Sequence, residues 1–243
     1  MIKEAIQHYK QSHGYSQFSP RCVLFDMDGV LYNSMPNHAV AWHEAMKQFG
    51  IHFTADDSYA TEGARGVDTI RKYVLEQQGK EISGEEAQRM YDVKTEIFHH
   101  MPIAEIFPGV IDIMQKIKSA GMTIGVVTGS GQRPLIKRLL NDFDGFLTED
   151  HIVTAYDVER GKPNPDPYLM GLRKTGNNNP WQGIVVENAP LGVRAGSAAN
   201  CFTIGINSGP LPDSALADNG ANIVLQQMTD LCNLWDEILQ NID

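Results

Sequence analysis

The sequence predicts an α/β protein, a parallel sheet with helices on both faces, interrupted by an inserted all-helical segment. Three observations predict it. Short apolar runs of strand length alternate with helical patterns through most of the 243 residues. Roughly 70 residues between the first and second runs carry amphipathic helical patterns and no convincing strand. The first run, VLFDMDGVL, ends in two carboxylates one residue apart, Asp26 and Asp28. A parallel strand end is poorly hydrated, so two negative charges there call for a positive partner.

In chain order, residues 1–20 hold at most one or two helical turns, over 1–10, before a polar stretch containing Gly and Pro. They read as an N-terminal extension, loosely packed and of unassigned use. The first strand is expected at 23–26. Residues 36–105 form the inserted helical cap, with patterns in HAVAWHEAMKQFG, VDTIRKYVLEQQG and SGEEAQRMYDVKTEIFHH. Trp42, Met46 and Phe49 fall at helical spacing as the buried stripe of its first helix. The neighbours His99 and His100 lack an i, i+4 partner and read as surface residues. Hinges are expected near 33–36 and 106–109, with Ser34 capping the linker or the helix after it. Residues 21–35 and 106–243 make the core, with strands at 123–128, 183–187, 202–206 and 222–225. Helices at 110–120, 134–140 and 167–174 separate several of them. In an open sheet of this kind, ligands sit at the carboxyl ends of the strands, where Asp26 and Asp28 fall.

Bulk properties exclude several classes. The formal charge is −10, and no long basic run is present, so a nucleic-acid partner is not expected. Three cysteines without a CxxC pair argue against a disulfide framework or structural zinc and fit a reducing compartment. No apolar run reaches about 18 residues, and the N-terminus has no signal-peptide pattern. A cytoplasmic monomer that meets a small molecule, not a membrane, is expected.

Four stretches should meet at one sheet edge: DMDG (26–29), VVTGS (126–130), GKPNPDP (161–167) and VVENAPLG (185–192). They offer carboxylates, a hydroxyl with backbone N–H groups beside Gly129 and Ser130, a lysine, and a Glu-Asn pair. That set suits phosphoryl transfer, in which positioning and charge neutralisation supply most of the catalysis. Asp26 could attack phosphorus and carry the phosphoryl group between two steps. A Mg²⁺ held by oxygen ligands would screen it from an anionic substrate.

In order and spacing these motifs resemble the haloacid dehalogenase superfamily, in its β-phosphoglucomutase-like branch, over essentially residues 21–243. The resemblance implies a Rossmann-like core under a helical cap. It implies Asp26 as nucleophile and metal ligand, and Asp28 as general acid/base with its carbonyl on the metal. Thr128 and Lys162 would bind the transferring phosphate, and Glu187 and Asn188 would complete the Mg²⁺ site. Asn188 stands where the family often has Asp and brings one charge fewer. Intact Asp28 sets the chain apart from dehalogenases proper.

Substrate choice is expected from the cap, which decides whether water or a sugar hydroxyl reaches the phosphoenzyme. In the mutases a lysine and an arginine there grip a distal phosphate. By spacing from Gly63, Glu62 stands at the lysine position and Gly66 at the arginine position, with Arg65 adjacent and expected, like Glu62 and His38, to contact substrate. The Glu62 loop resembles that of an inorganic pyrophosphatase of this branch, and Glu62 would meet a substrate that arrives with Mg²⁺. His38 matches a mutase histidine that couples cap closure to proton transfer, and a hinge-packing role is equally open to it. An inorganic pyrophosphatase is expected, with a β-phosphoglucomutase or a phosphatase of small sugar phosphates as the alternative. A catalytically silent phosphate sensor is the reading from another class, suggested by Asn188 and opposed by intact Asp26, Asp28, Thr128 and Lys162.

Overall fold

A computed structural model describes residues 2–243. Helix α1 (Ile2–His13) precedes strand β1 (Cys22–Phe25), which leads into four helices: α2 (Met35–Gln48), α3 (Ala55–Ala60), α4 (Gly66–Gln78) and α5 (Gly84–His99). The chain then returns through α6 (Val110–Ser119), β2 (Thr123–Val127), α7 (Arg133–Asp142), β3 (Ile152–Val153), α8 (Asp166–Lys174) and β4 (Gly183–Glu187). It closes with α9 (Pro190–Ala198), β5 (Phe202–Ile206), α10 (Ser214–Ala217), β6 (Ile223–Leu225) and α11 (Met228–Gln240). Among the described residues the six strands form one parallel sheet in the order β3-β2-β1-β4-β5-β6. The two-residue β3 carries no alternation that sequence could display.

Strand alternation distributes the core over both sheet faces. Val23, Phe25, Val126 and Val186 join one cluster under α1, α6, α7 and α11. Leu24, Val127 and Val185 join a second under α8 and α9, with Tyr168 and Leu172. In register, Phe25 lies beside Val126 on one side and Val186 on the other. The next residue of each strand path, Asp26, Val127 and Glu187, therefore arrives at one level of the carboxyl edge. That is how four distant stretches are brought together.

Helices α2–α5 have their own apolar cluster, which includes Trp42, Met46, Phe53, Ile70 and Met90, with Phe49 packed partly against it. Helix α3 is too short for periodicity to show, but Thr54 and Asp57 cap it reciprocally, at 3.2 and 2.7 Å. Two antiparallel linkers join this cap to the core, where Asn33 N donates to Glu105 O at 2.8 Å and Phe107 N to Leu31 O at 3.0 Å. Of the two roles expected of Ser34, the cap to α2 is absent, because its hydroxyl is drawn into the site below, while the hydroxyl also reaches the linker at Tyr32 O, 3.5 Å away.

The N-terminal segment corrects a second expectation. Ile2, Ile6 and Tyr9 are buried in the main core with Phe18, and Tyr9 stands edge-on to Phe202. Asp243 Oδ2 accepts both Lys10 Nζ and Phe18 N at 2.6 Å, so the two ends of the described chain are tied together. The i, i+4, i+7 stripe at 2, 6 and 9 was the signal for a packed helix. Cys22 and Cys201 are buried, Cys232 is partly so, and all three are free. Among the described residues no helix is long and apolar enough to cross a membrane.

Candidate active site

Asp26 follows β1 directly and sits beside a lysine supplied by the loop before α8. Lys162 Nζ donates to Asp26 Oδ1 at 2.5 Å, to Glu187 Oε1 at 2.6 Å and to Val127 O at 3.0 Å. Three acceptors satisfy the three hydrogens of a buried ammonium. Burial alone would lower the Lys162 pKa, but the charges of Asp26 and Glu187 override it and hold the amine above its ordinary value. Burial raises the Asp26 carboxyl; Lys162 opposes that rise, and Glu187 and Asp28 add to it.

Glu187 was expected at the metal. Its Oε1 accepts Lys162 and Tyr168 Oη (2.8 Å), and its Oε2 accepts the backbone N–H groups of Asn188 (3.0 Å) and Ala189 (3.2 Å). With four bonds accepted and no exposure, this carboxylate fixes Lys162 and has no lone pair left for an ion. Tyr168, unmarked in the sequence reading, is its buried partner.

Asp28 faces the cap. Its Oδ1 accepts Ser34 Oγ at 2.6 Å and lies 3.3 Å from His38 Nε2, an ion-pair distance rather than an aligned hydrogen bond. Burial raises the Asp28 pKa, but His38, Ser34 and the more distant Lys94 outweigh it, so the carboxyl titrates below its usual range. Lys94 Nζ is 2.7 Å from His38 Nδ1. A charged lysine only donates, so Nδ1 accepts and the proton of a neutral His38 lies on Nε2, toward Asp28. Burial, and then the Lys94 charge, hold the His38 pKa down.

Lys94 itself lies over the rings of Phe98 (4.9 Å), Trp42 (5.3 Å) and Tyr91 (5.8 Å). Burial pushes its pKa down to about 8 against the pull of Asp28. Sequence reading missed it, although Ala87, Met90 and Lys94 form one buried face of α5 and a cation in such a stripe was the available signal.

The cap's contribution to the other side is the turn 61–65. Glu62 Oε2 accepts Asn188 Nδ2 at 2.8 Å, joining cap to core. Burial, with repulsion from Asp26, Glu187 and Asp28, drives the Glu62 pKa well above the usual carboxylate range. Gly63 turns the chain at φ +82° and lies against the Lys162 stem. At Gly66 a built Cβ would fall 2.0 Å from the Tyr91 ring, so this backbone has no room for an arginine there. Arg65 points out of the site, which corrects the expectation that it touches substrate: its guanidinium meets Asp68 and Glu159 O on the far side of the turn.

A cavity of about 70 Å³ lies between cap and core, lined among others by Asp26, Asp28, Glu62, Thr128, His38 and Lys94. Gly129 and Ser130 also reach it, and Ser130 N donates to Thr128 Oγ1 at 3.0 Å. Gln132 spans the boundary to Thr95 (3.3 Å) and His99 (2.8 Å), so His99, exposed as its surface reading expects, also makes a cap-to-core contact.

Among the described residues, no three His, Cys, Asp or Glu side chains converge as a ready-made metal cage. The donors here are of another kind. Asn188 Oδ1 and Glu62 Oε1 are buried without a partner beside Asp26, whose carboxyl is raised by burial and, after it, by neighbouring negative charge. Hard oxygen atoms in excess of positive charge fit a Mg²⁺ ion that keeps part of its water shell.

A model of the family described as Haloacid dehalogenase-like hydrolase matches residues 23–206. Hexitol phosphatase A of Escherichia coli is 30% identical over 214 residues, covering 87% of this chain and 94% of its own. β-Phosphoglucomutase of Bacillus subtilis is 25% identical over 223 residues, covering 87% and 91%. A solved structure from Bacteroides vulgatus, provisionally called a β-phosphoglucomutase, is 45% identical, covers 100% of this chain and 98% of its own, and superposes with a TM-score of 0.95. The nucleophile-side carboxylate anchored by a lysine, the second carboxylate two residues on and the helical cap agree with that kinship. The chain belongs to the haloacid dehalogenase-like hydrolases and is an enzyme of that family, with phosphatases and phosphomutases among its relatives.

Proposed function

We propose that this enzyme is a Mg²⁺-dependent phosphohydrolase that works through an aspartyl phosphate on Asp26. The observation that carries the reading is the pairing at the edge of β1: Asp26 held by Lys162 at 2.5 Å, and Asp28 beside it, turned toward the cap. An Asp26 oxygen attacks phosphorus, and the bond from phosphorus to the leaving oxygen breaks. Water then attacks the acyl phosphate, gives its proton to Asp28, and phosphate leaves with Asp26 regenerated. Lys162 offsets the charge that builds on the phosphoryl oxygens, with Thr128 and the N–H groups of Gly129 and Ser130 around them. Asp26, Asn188 and the Asp28 carbonyl, with Glu62 from the cap, would hold Mg²⁺, which supplies charge neutralisation to both partners.

Two substrate readings divide the support. The names of the relatives favour an organic phosphate of the sugar class, hydrolysed or isomerised, and they support it better than they support pyrophosphate. Ser58, Thr61, Thr69 and Gln132 on the cavity wall suit hydroxyl groups. The finer reading, inorganic pyrophosphate, rests on geometry. The cavity of about 70 Å³ is small beside the hundreds of Å³ usual for a ligand site, which suits pyrophosphate better than a hexose phosphate with the cap in this position. Asp28 is held ionised and so has no proton ready for a leaving group, and a phosphate leaving group needs less protonation than an alkoxide. The test is phosphate release with Mg²⁺ from pyrophosphate and from a panel of hexose and hexitol phosphates, with glucose 6-phosphate formation from β-glucose 1-phosphate followed in parallel. A kcat/KM for pyrophosphate about tenfold above all others would carry the finer reading. Preference for a hexitol or hexose phosphate would transfer it to the sugar class, and isomerisation outrunning release would make the enzyme a mutase.

A further inference from the structure

Arg65 lies at the start of α4, beside the turn that carries Glu62, and its side chain reaches from the cap across to the core. Nη1 donates to the carbonyl of Glu159, 94 residues away in the core loop, at 2.9 Å. Nε donates to Asp68 Oδ2, one turn along α4, at 2.8 Å, which fixes the guanidinium to its own helix. The stem crosses Gly161, where a built Cβ would stand 3.0 Å from Arg65 Cγ and 3.4 Å from Cδ. Any other residue at 161 would crowd that crossing. The turn is therefore pinned to the core at both ends, by Glu62 on Asn188 and by Arg65 on Glu159, with Gly63 pressed on Lys162 between them.

We propose that Arg65 is a closure latch: a positioning residue that seats Glu62 in the cavity by tying the cap to the Glu159–Gly161 loop. It touches no substrate and acts through the turn. Lys72, the cation of α4 in the same groove, pairs with Glu76 on its own helix and lies over the Tyr73 ring without bridging to the core, so charge alone does not account for the bridge. The proposal rests on the reading that the cap closes over a phosphorylated substrate, and its structural half is measurable with no substrate present.

The test is hydrogen exchange of residues 61–66 and 159–161 in the unliganded full chain, alongside steady-state kinetics on whichever substrate the enzyme prefers. One bond of this kind shifts a closed-to-open ratio by about fivefold. Arg65→Ala is therefore expected to speed exchange in both segments and to raise KM by about fivefold while kcat stays within about twofold. Arg65→Lys, able to reach Glu159 O but not to hold Asp68 in the same way, should recover part of the loss. Lys72→Ala should change neither readout. Wild-type exchange in Arg65→Ala overturns the latch even if the enzyme proves to have another substrate. An equal effect from Lys72→Ala assigns the role to groove charge instead, and a collapse of kcat at unchanged KM and unchanged exchange puts Arg65 in contact with substrate.

Discussion

The two walls of the cavity are built in different ways. On the core wall, the proposed catalytic groups follow the carboxyl ends of strands, apart from Lys162 in the loop before α8, and buried charge is matched: Lys162 against Asp26 and Glu187, Glu187 against two N–H groups and a tyrosine. On the cap wall, Glu62 keeps one oxygen unpartnered, His38 faces Asp28 without an aligned bond, and Lys94 is lowered toward neutrality among aromatic rings. The core wall is matched except at Asn188 Oδ1, whereas the cap wall is left with more capacity that substrate and metal would fill. The contrast teaches that the reaction class is set by sheet topology and the substrate by tertiary packing of the cap.

The sharpest way to break that contrast is at the proposed nucleophile. Asp26→Asn keeps shape and removes the attacking oxygen charge, so turnover should fall by at least about 10³-fold on every substrate. Circular dichroism should still show a folded protein. Uniform loss marks a core-wall residue; a loss confined to one substrate would place Asp26 among the specificity groups and undo the division.

Lys162→Met attacks the same wall through stability. It leaves Asp26 and Glu187 buried without their cation, and breaking such a pair costs about 3–5 kcal/mol. A Tm drop on the order of 10 °C is expected in a chain of this size. Adding Glu187→Gln should return part of it. A melting point equal to wild type would mean that water already shields the pair.

Glu62→Gln probes the cap wall with almost no change of shape. Loss of the carboxylate oxygen proposed to hold Mg²⁺ should reduce activity on pyrophosphate by about tenfold or more, and much less on a bulky aryl phosphate. Equal losses on both would remove Glu62 from substrate choice and strengthen the sugar-phosphate alternative.

The same division explains what is legible in the sequence. Strand alternation and the residues that end each strand are local, so the acidic pair after β1, the turn at Thr128, the lysine of GKPNP and the pair Glu187-Asn188 can all be placed on one edge from the order of residues alone. What Glu187 binds cannot be read that way, because four donors from three elements exhaust its oxygens. The direction of Arg65 depends on a missing side chain at Gly161, nearly 100 positions away. The position of Ser34 points to a helix cap, and Asp28 captures its hydroxyl instead. The stripe of Ile2, Ile6 and Tyr9 marks a helix at the N-terminus, but nothing local says that a face for it exists beside Phe202.

Lys94 gives the smallest expected effect on stability and the finest test of the cap wall. Its pKa in the fold is about 8, below the ordinary 10.5, because burial disfavours the ammonium more than Asp28 favours it. A group with a depressed basic pKa binds fewer protons folded than unfolded. It therefore costs stability below about pH 8, and the cost fades as pH rises from 8 toward 10.5. Lys94→Met keeps the stem among Trp42, Tyr91 and Phe98 and removes the charge. The variant should melt higher than wild type at pH 7, by a few degrees, with the difference shrinking above pH 8. Turnover should fall at the same time, because His38 loses the donor that holds its proton toward Asp28. A variant that is more stable and less active would show that the cap wall keeps this cation for substrate. One that loses stability at pH 7 would show that the aromatic rings and His38 more than offset its burial, and that the cap is as fully matched as the core.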